Sequence, residues 1–304
     1  MTGLPRMVVF DMDGVLADIE SSWQTVHRAF KVDNEANFQK HLRNEIDYRE
    51  FMRSDIGLWG KPHITRIKAV LDQARLMKGA KETVTALRTT GIKTAIISSG
   101  IMTLAERLKE ELGIDHVFAN KLLTDDAGYL VGEGEEAVNL QNKGVVLEEL
   151  CLVEGLQLAD CAVVGDSRFD VPLFEKAGLS IAFNAQDRWV REAADVVIDD
   201  RDLRRILPVI FNGRSARARL SFRYAKEETA AIIVGAISPD NYPVPPGLTT
   251  PGLTITASRR GVEVQIRVFC VKGSGTLLAT LDDLLSNIQV AEKTLATLDA
   301  VTGR

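Results

Sequence analysis

Asp11 and Asp13 stand directly behind the apolar run Met7-Val8-Val9-Phe10, and Gly14 follows them. The run reads as a short buried strand. In an open α/β sheet the C-terminal strand ends face the crevice where ligands bind. The strand then delivers Asp11 to that crevice, and the turn at Gly14 swings Asp13 beside it. Two carboxylates this close repel each other unless a cation or a shared proton intervenes. The pair asks for a hard divalent ion with oxygen ligands, Mg²⁺ before others. An isolated D-x-D-G is equally a solvated aspartate turn, so its meaning depends on what the rest of the chain places beside it.

The same arrangement recurs downstream. Lys93 to Ile97 reads as a strand, Ser98-Ser99-Gly100 follow, and Leu104, Leu108 and Leu112 mark one face of a helix that stops before Gly113. Ser98 is thereby expected at a strand-to-helix turn, a position that suits either an anion site or a plain N-cap. Lys143 opens a helix against the helix dipole, so an anion or carboxylate facing it is expected. Cys161 to Val164 is another strand, with Asp166 and Asp170 just past it, and Leu179–Phe183 and 195–198 are two more. Strands alternating with helices predict an α/β fold, a Rossmann-like and mostly parallel sheet with helices on both faces. Residues 19–78 carry aromatic residues and charges at helical spacing, which predicts a small helical cap inserted above Asp11 as a lid. His27, His41 and His63 lie there without metal-ligand spacing and are expected on helix sides or the surface.

Composition changes near residue 212, which gives two domains, 1–212 and 213–304. The second shows alternating strands around Leu220, Leu253 and Val264, with a tight hairpin at Arg260-Gly261, and helices at about 227–237 and 276–298. It reads as an α+β domain, a three-stranded antiparallel sheet covered by two helices. The last helix carries Leu277, Leu281, Leu284, Ile288, Ala291, Leu295 and Leu298 at heptad spacing, widened by Leu278 and Leu285. That stripe serves its own sheet and leaves room for a twin helix across a dimer. Cys151, Cys161 and Cys270 lack C-x-x-C spacing and are expected as reduced core thiols. The net charge of −5 does not suggest broad nucleic-acid coating. No leader-like stretch precedes Met7 and no apolar run reaches ~18 residues, so a cytoplasmic location is expected.

Taken in order, DMDG, a serine after a strand, a lysine, and GDxxxD resemble the four motifs of haloacid dehalogenase-like phosphohydrolases. The resemblance implies Asp11 as a nucleophile that forms an aspartyl-phosphate and Asp13 as general acid and base. It implies Mg²⁺ held by Asp11, Asp13 (through its carbonyl) and Asp166, with Asp170 in support. It implies phosphoryl contacts from Ser98, Ser99, Gly100 and Lys143. Residues 7–211 resemble phosphoserine phosphatases more closely, through HVFANKLL, KAGLSIAFNA and DDRDLRRIL. That likeness assigns Glu20 to a substrate amino group and Arg53 to its carboxylate. Phe169 stands where the family carries an asparagine and Ser167 replaces a glycine, which leaves the ester open between phosphoserine and another small phosphate. The same chemistry also supports transfer to an acceptor other than water.

Residues 216–298 resemble the small dimerising subunit of the KEOPS complex, which makes threonylcarbamoyladenosine in tRNA, through EETAAIIVGAISPDN and GTLLATLDDLLSNI. This implies a homodimer through 216–304 and docking of a KEOPS ATPase-fold subunit, with tRNA reached only indirectly. Two functions are therefore expected. One is an Mg²⁺-dependent phosphomonoesterase with a dimerising tail. The other is a tRNA-modification subunit whose phosphatase domain is secondary or silent.

Overall fold

A computed structural model describes residues 4–211, 216–237, 253–270, 284–295 and 297. The chain divides into two compact units, Pro5–Leu207 and a second beginning at Pro208. The division falls a few residues before the boundary expected at 212.

The first unit is built on β1 (Met7–Phe10), which has no exposed side chain. The chain then forms four helices, α1 (Ser22–Phe30), α2 (Glu35–Leu42), α3 (Tyr48–Leu58) and α4 (Ile64–Leu71), which make the cap. Next come α5 (Ala80–Thr89), β2 (Lys93–Ile101), α6 (Met102–Leu112), β3 (His116–Thr124), β4 (Leu130–Glu135) and α7 (Lys143–Glu154). The unit closes with β5 (Cys161–Gly165), α8 (Val171–Lys176), β6 (Leu179–Phe183), α9 (Arg188–Ala193) and β7 (Val196–Ile198). A short helix, α10 (Leu207–Phe211), follows.

The sheet order is β4-β3-β2-β1-β5-β6-β7, parallel except for the β3–β4 hairpin. From β1 the chain first builds outward through β2 and β3. It then returns to β5 on the other flank of β1. The crevice of such a sheet opens where the order reverses, between β1 and β5. Phe10 is level with both Ile96 and Val164, so Asp11 leaves the sheet at the same height as Gly165. The Asp11 amide donates to the Val164 carbonyl at 2.9 Å, which ties the two strand ends together. One core face joins Met7, Val9, Ala95, Ile97 and Val163 to Leu147, Leu173 and Phe174 of the helices that cover it.

One expectation changes here. β2 runs on to Ile101, with a register shift between Ile97 and Ile101, and Ile101 is the N-cap residue of α6. Ser98 is therefore in the irregular end of a strand rather than at a helix start, because β2 pairs with β3 again at Ile101 before α6 begins. His27 on α1 and His41 on α2 stand on helix sides, one of the two places expected, and both are buried. His27 sits between Trp59 and Asp55, and His41 stacks on Phe51 with centroids 5.2 Å apart. The cap core is aromatic, and the imidazoles take part in it. Cys151 and Cys161 are buried and free.

The second unit contains β8 (Ala216–Arg223), α11 (Glu227–Ile237), β9 (Leu253–Arg260), β10 (Glu263–Cys270) and a helix α12 over 284–295. The antiparallel order is β8-β10-β9. Arg260 pairs with Glu263, so the hairpin loop is Gly261-Val262, one residue later than expected. Val264, Ile266 and Val268 form the buried face, with Ala230 and Ile233 of α11 and Leu284 and Ile288 of α12 against it. The expected start of the last helix at 276 lies outside the described residues.

Candidate active site

Asp11, Asp13, Ser98, Lys143, Asp166 and Asp170 line one cavity of about 630 Å³ or stand directly behind it. Residues of the cap complete its walls. Gly14, with φ +77°, makes the turn that brings Asp13 round. A Cβ there would stand 2.1 Å from Asp166 Oδ2, so only glycine lets the β1 turn and the β5 end approach this closely.

Lys143 is buried at the first turn of α7, and its Nζ lies 2.7 Å from Asp170 Oδ1 and 3.1 Å from Asp11 Oδ1. The anion expected to face this lysine is therefore a pair of carboxylates. Burial alone would lower its affinity for a proton, but Asp11 and Asp170 outweigh that and hold the ammonium above its ordinary value. Asp170 is fully buried. Its second oxygen accepts from the amides of Asp166 and Ser167, each at 3.1 Å. Both oxygens of Asp170 are thus committed to holding the β5 turn and Lys143.

Asp13 has one oxygen held by the Ser22 amide at 2.7 Å and the Ser22 hydroxyl at 2.8 Å. Its other oxygen is buried and has no hydrogen-bond partner among the described residues. Burial raises the Asp13 carboxyl above its ordinary value, against the Ser22 donors and Lys143. A carboxyl raised in this way is suited to carrying a proton to and from a reacting oxygen. Burial also raises Asp11, to about 7, helped by Asp170 and Asp13. It raises Asp166, to about 9, helped by Asp170 and Asp11.

Four carboxylates thus surround one ammonium. Asp11, Asp166 and Asp170 each bring an oxygen within 4.8 Å of the others. With Asp170 committed, Asp11 and Asp166 supply the free oxygens. Among the described residues Asp11 Oδ1 makes no aligned hydrogen bond despite its ion pair. Orphaned carboxylate oxygens and a surplus of negative charge fit a small divalent cation.

Ser98 Oγ accepts from the Gly100 amide at 3.1 Å. The Ser99 carbonyl is fixed by Trp23 Nε1 at 3.0 Å, Asn120 Nδ2 at 2.9 Å and the Tyr48 hydroxyl at 3.2 Å. This clamp ties the cap to the strand end. Asn120 and Ser22 were not singled out from the sequence. The signal for Asn120 was available in HVFANKLL, a polar side chain within an otherwise apolar strand.

Glu20 lines the cavity mouth, 74% exposed and paired with Arg28. Arg53 is 55% exposed, bonded to Glu133 of β4, and is not among the cavity-lining residues. Asp55, two residues on, is. Arg53→Ala is expected to leave kcat/KM for any phosphomonoester within about twofold, since exposed ion pairs contribute only ~0–1 kcal/mol. Steady-state kinetics on phosphoserine and an aryl phosphate would show this, and a selective rise in KM for phosphoserine would return Arg53 to the site. Phe169 also lines the cavity, with the Arg168 guanidinium over its ring at 5.5 Å.

The model of the haloacid dehalogenase-like hydrolases matches residues 5–178. The phosphoserine phosphatase of Methanocaldococcus jannaschii is 32% identical over 207 residues, which cover 67% of this chain and 97% of that protein. The phosphoserine phosphatase of Polaromonas sp. is 32% identical over 219 residues, covering 67% and 89%. Among solved structures, a phospho-aspartyl intermediate analogue of phosphoserine phosphatase superposes with a TM-score of 0.60 at 31% identity, covering 68% of this chain and 99% of that one. A substrate-bound phosphoserine phosphatase complex gives 0.60 at 30% identity, covering 67% and 98%. Fold and relatives define a phosphomonoester hydrolase. The chain belongs to the haloacid dehalogenase-like hydrolase family and is similar to its phosphoserine phosphatases. Among the described residues, no helix is long and apolar enough to cross a membrane.

Proposed function

We propose that the chain hydrolyses a small phosphomonoester, phosphoserine or one of similar size, through a phosphorylated Asp11. The observation that carries this reading is the buried convergence of Asp11, Asp13, Lys143 and Asp166 at the β1–β5 crevice. An Asp11 oxygen bonds to phosphorus as the ester P–O bond breaks, and Asp13 gives its proton to the departing alkoxide. Water then attacks phosphorus while Asp13 takes one of its protons. The bond to Asp11 breaks, and inorganic phosphate leaves with the carboxylate restored. Ser98, the amides of Ser99 and Gly100, and Lys143 hold the phosphoryl oxygens. Asp11, Asp166 and the Asp13 carbonyl would hold Mg²⁺, which when bound supplies positive charge to the phosphoryl oxygens and the carboxylates. Hydrolysis of an aryl phosphate that requires Mg²⁺ and stops with EDTA tests the reading. Inactivity across a panel of small phosphomonoesters at any metal concentration would refute it.

The raised carboxyls give a second test. In the metal-free fold, Asp11 and Asp166 bind protons that the unfolded chain has already released. Their stabilising contribution is complete below the ordinary carboxylate value near 3.8, and it is lost as pH rises through about 7 and 9. Mg²⁺ competes with those protons, so it is expected to raise the Tm more at pH 8 than at pH 5.5. At ~100 Kd of metal the rise at pH 8 is about 5–10 °C. A thermal scan with Mg²⁺ and with EDTA at both pH values measures it, and an equal or reversed difference would count against the assignment.

For the second unit, the proposal is a homodimerisation module. Among the described residues its sheet has edges at β8 and β9, and Ile232 and Val290 stand exposed on its helices. Open edges and a small core both gain from a partner surface. Light scattering on the full chain is expected to give a dimer mass, and a chain cut at residue 212 a monomer mass. A monomeric full chain at micromolar concentration would refute the proposal.

A further inference from the structure

The cap wall of the cavity has an unusual charge. Asp55 lines the cavity yet is only 2% exposed. Its Oδ2 accepts from Asn34 Nδ2 at 2.9 Å and faces His27 Nε2 at 3.2 Å. Trp59 Nε1 donates to His27 Nδ1 at 2.8 Å, so Nδ1 carries no proton and Nε2 is the donor to Asp55. The imidazole in that tautomer is neutral. Among the described residues nothing positive therefore balances Asp55 from behind, and its Oδ1 is buried with no hydrogen-bond partner there. A buried carboxylate oxygen left this way costs free energy unless a ligand supplies the missing donor or cation.

The rest of the lining points the same way. Trp23, Phe38, Tyr48 and Phe51 bring aromatic rings to the cavity. Rings beside a carboxylate are the surroundings in which an ammonium group binds. The lining cations are Lys143, already held by Asp11 and Asp170, and Arg168, which is paired with Asp187 at 3.7 Å. Arg53, the guanidinium that a substrate carboxylate would need, is bonded to Glu133 and is not part of the lining.

We infer that the preferred substrate is the phosphomonoester of a cationic amino alcohol without a carboxylate, its ammonium end set against Asp55 and the cap aromatics. The inference rests on the phosphomonoesterase reading and narrows it. A substrate carboxylate at that end would face Asp55 with no free cation to hold it.

The test is a kcat/KM panel on the full-length protein with Mg²⁺, using phosphoethanolamine, phosphocholine, glycerol phosphate, phosphoserine and an aryl phosphate. At least one of the first two is expected to exceed both glycerol phosphate and phosphoserine by about tenfold or more, the range of a partly desolvated cation–aromatic and ion-pair contact. Preference for phosphoethanolamine identifies a primary ammonium, and preference for phosphocholine a quaternary one. Asp55→Asn is expected to cut the cationic-to-neutral preference about tenfold through KM rather than kcat. If that variant does not fold, the panel on the unaltered protein decides alone. Phosphoserine as the best substrate, or equal rates on cationic and neutral esters while the aryl phosphate is turned over, would overturn this inference and leave the phosphatase reading standing. No turnover of any ester would overturn both.

Discussion

Asp11→Asn should lower kcat by at least ~10⁴-fold while leaving the fold intact, because the amide keeps the carboxylate's shape but is a far weaker nucleophile. The site allows the swap sterically. Asp11 hangs on a backbone bond to Val164, and its side chain pairs with the Lys143 ammonium at 3.1 Å. The substitution also removes one of four acids from a cluster in which burial, helped by mutual repulsion, lifts Asp11 to about 7 and Asp166 to about 9. The metal-free variant is therefore expected to be at least as stable as the parent at pH 8. Single-turnover assays with an aryl phosphate, beside denaturant melts, give both readouts. Residual turnover within ~10²-fold of the parent, with unchanged Mg²⁺ dependence, would rule out an aspartyl-phosphate route.

How far the sequence reached depended on what fixed each side chain. Asp11, Asp166 and Asp170 follow apolar strands that are buried on every side, and Lys143 opens a helix where a cation is out of place. Such positions are set by the chain's own punctuation, so their convergence could be read before any coordinates. The cap was different. Its existence showed in aromatic residues at helical spacing, but which residues face the cavity depends on helix phase. Arg53 and Asp55 are two residues apart on α3, and side chains at that spacing point to nearly opposite sides. Tyr48, Phe51, Met52, Asp55 and Ile56 are the buried stripe, and Arg53 is off it. The stripe is legible in the sequence, and its phase turns Asp55 inward. The family likeness points to Arg53 instead. Ser98 was misplaced for a related reason. A register shift in β2 lengthens the strand end, and no side-chain pattern in Ser98-Ser99-Gly100 signals a bulge.

Lys143→Met is expected to damage both stability and turnover, and the two effects should separate with pH. The ammonium is the sole cation within salt-bridge distance of Asp11 and Asp170 among the described residues. Methionine fills much of the same volume but leaves two buried carboxylates facing each other. Breaking a buried pair from one side costs about 3–5 kcal/mol. That cost applies to ionised carboxylates. Asp11, already raised to about 7 with the lysine in place, loses the one side-chain cation that lowers it and should hold its proton to higher pH still. The stability deficit is therefore expected to be large at pH 8 and small at pH 5.5. Bound Mg²⁺ should recover part of it, because the ion supplies positive charge beside the same acids. Turnover should not recover with it. In the proposed mechanism the ammonium holds phosphoryl oxygens from a fixed direction, and losing one such donor costs about 10²–10³ in kcat. Urea melts at the two pH values, with and without Mg²⁺, alongside kcat at saturating metal, measure all four effects. A pH-independent deficit would mean that Lys143 stabilises by packing rather than by charge. Turnover restored by Mg²⁺ alone would mean that it only shapes the metal site and never touches the phosphoryl group.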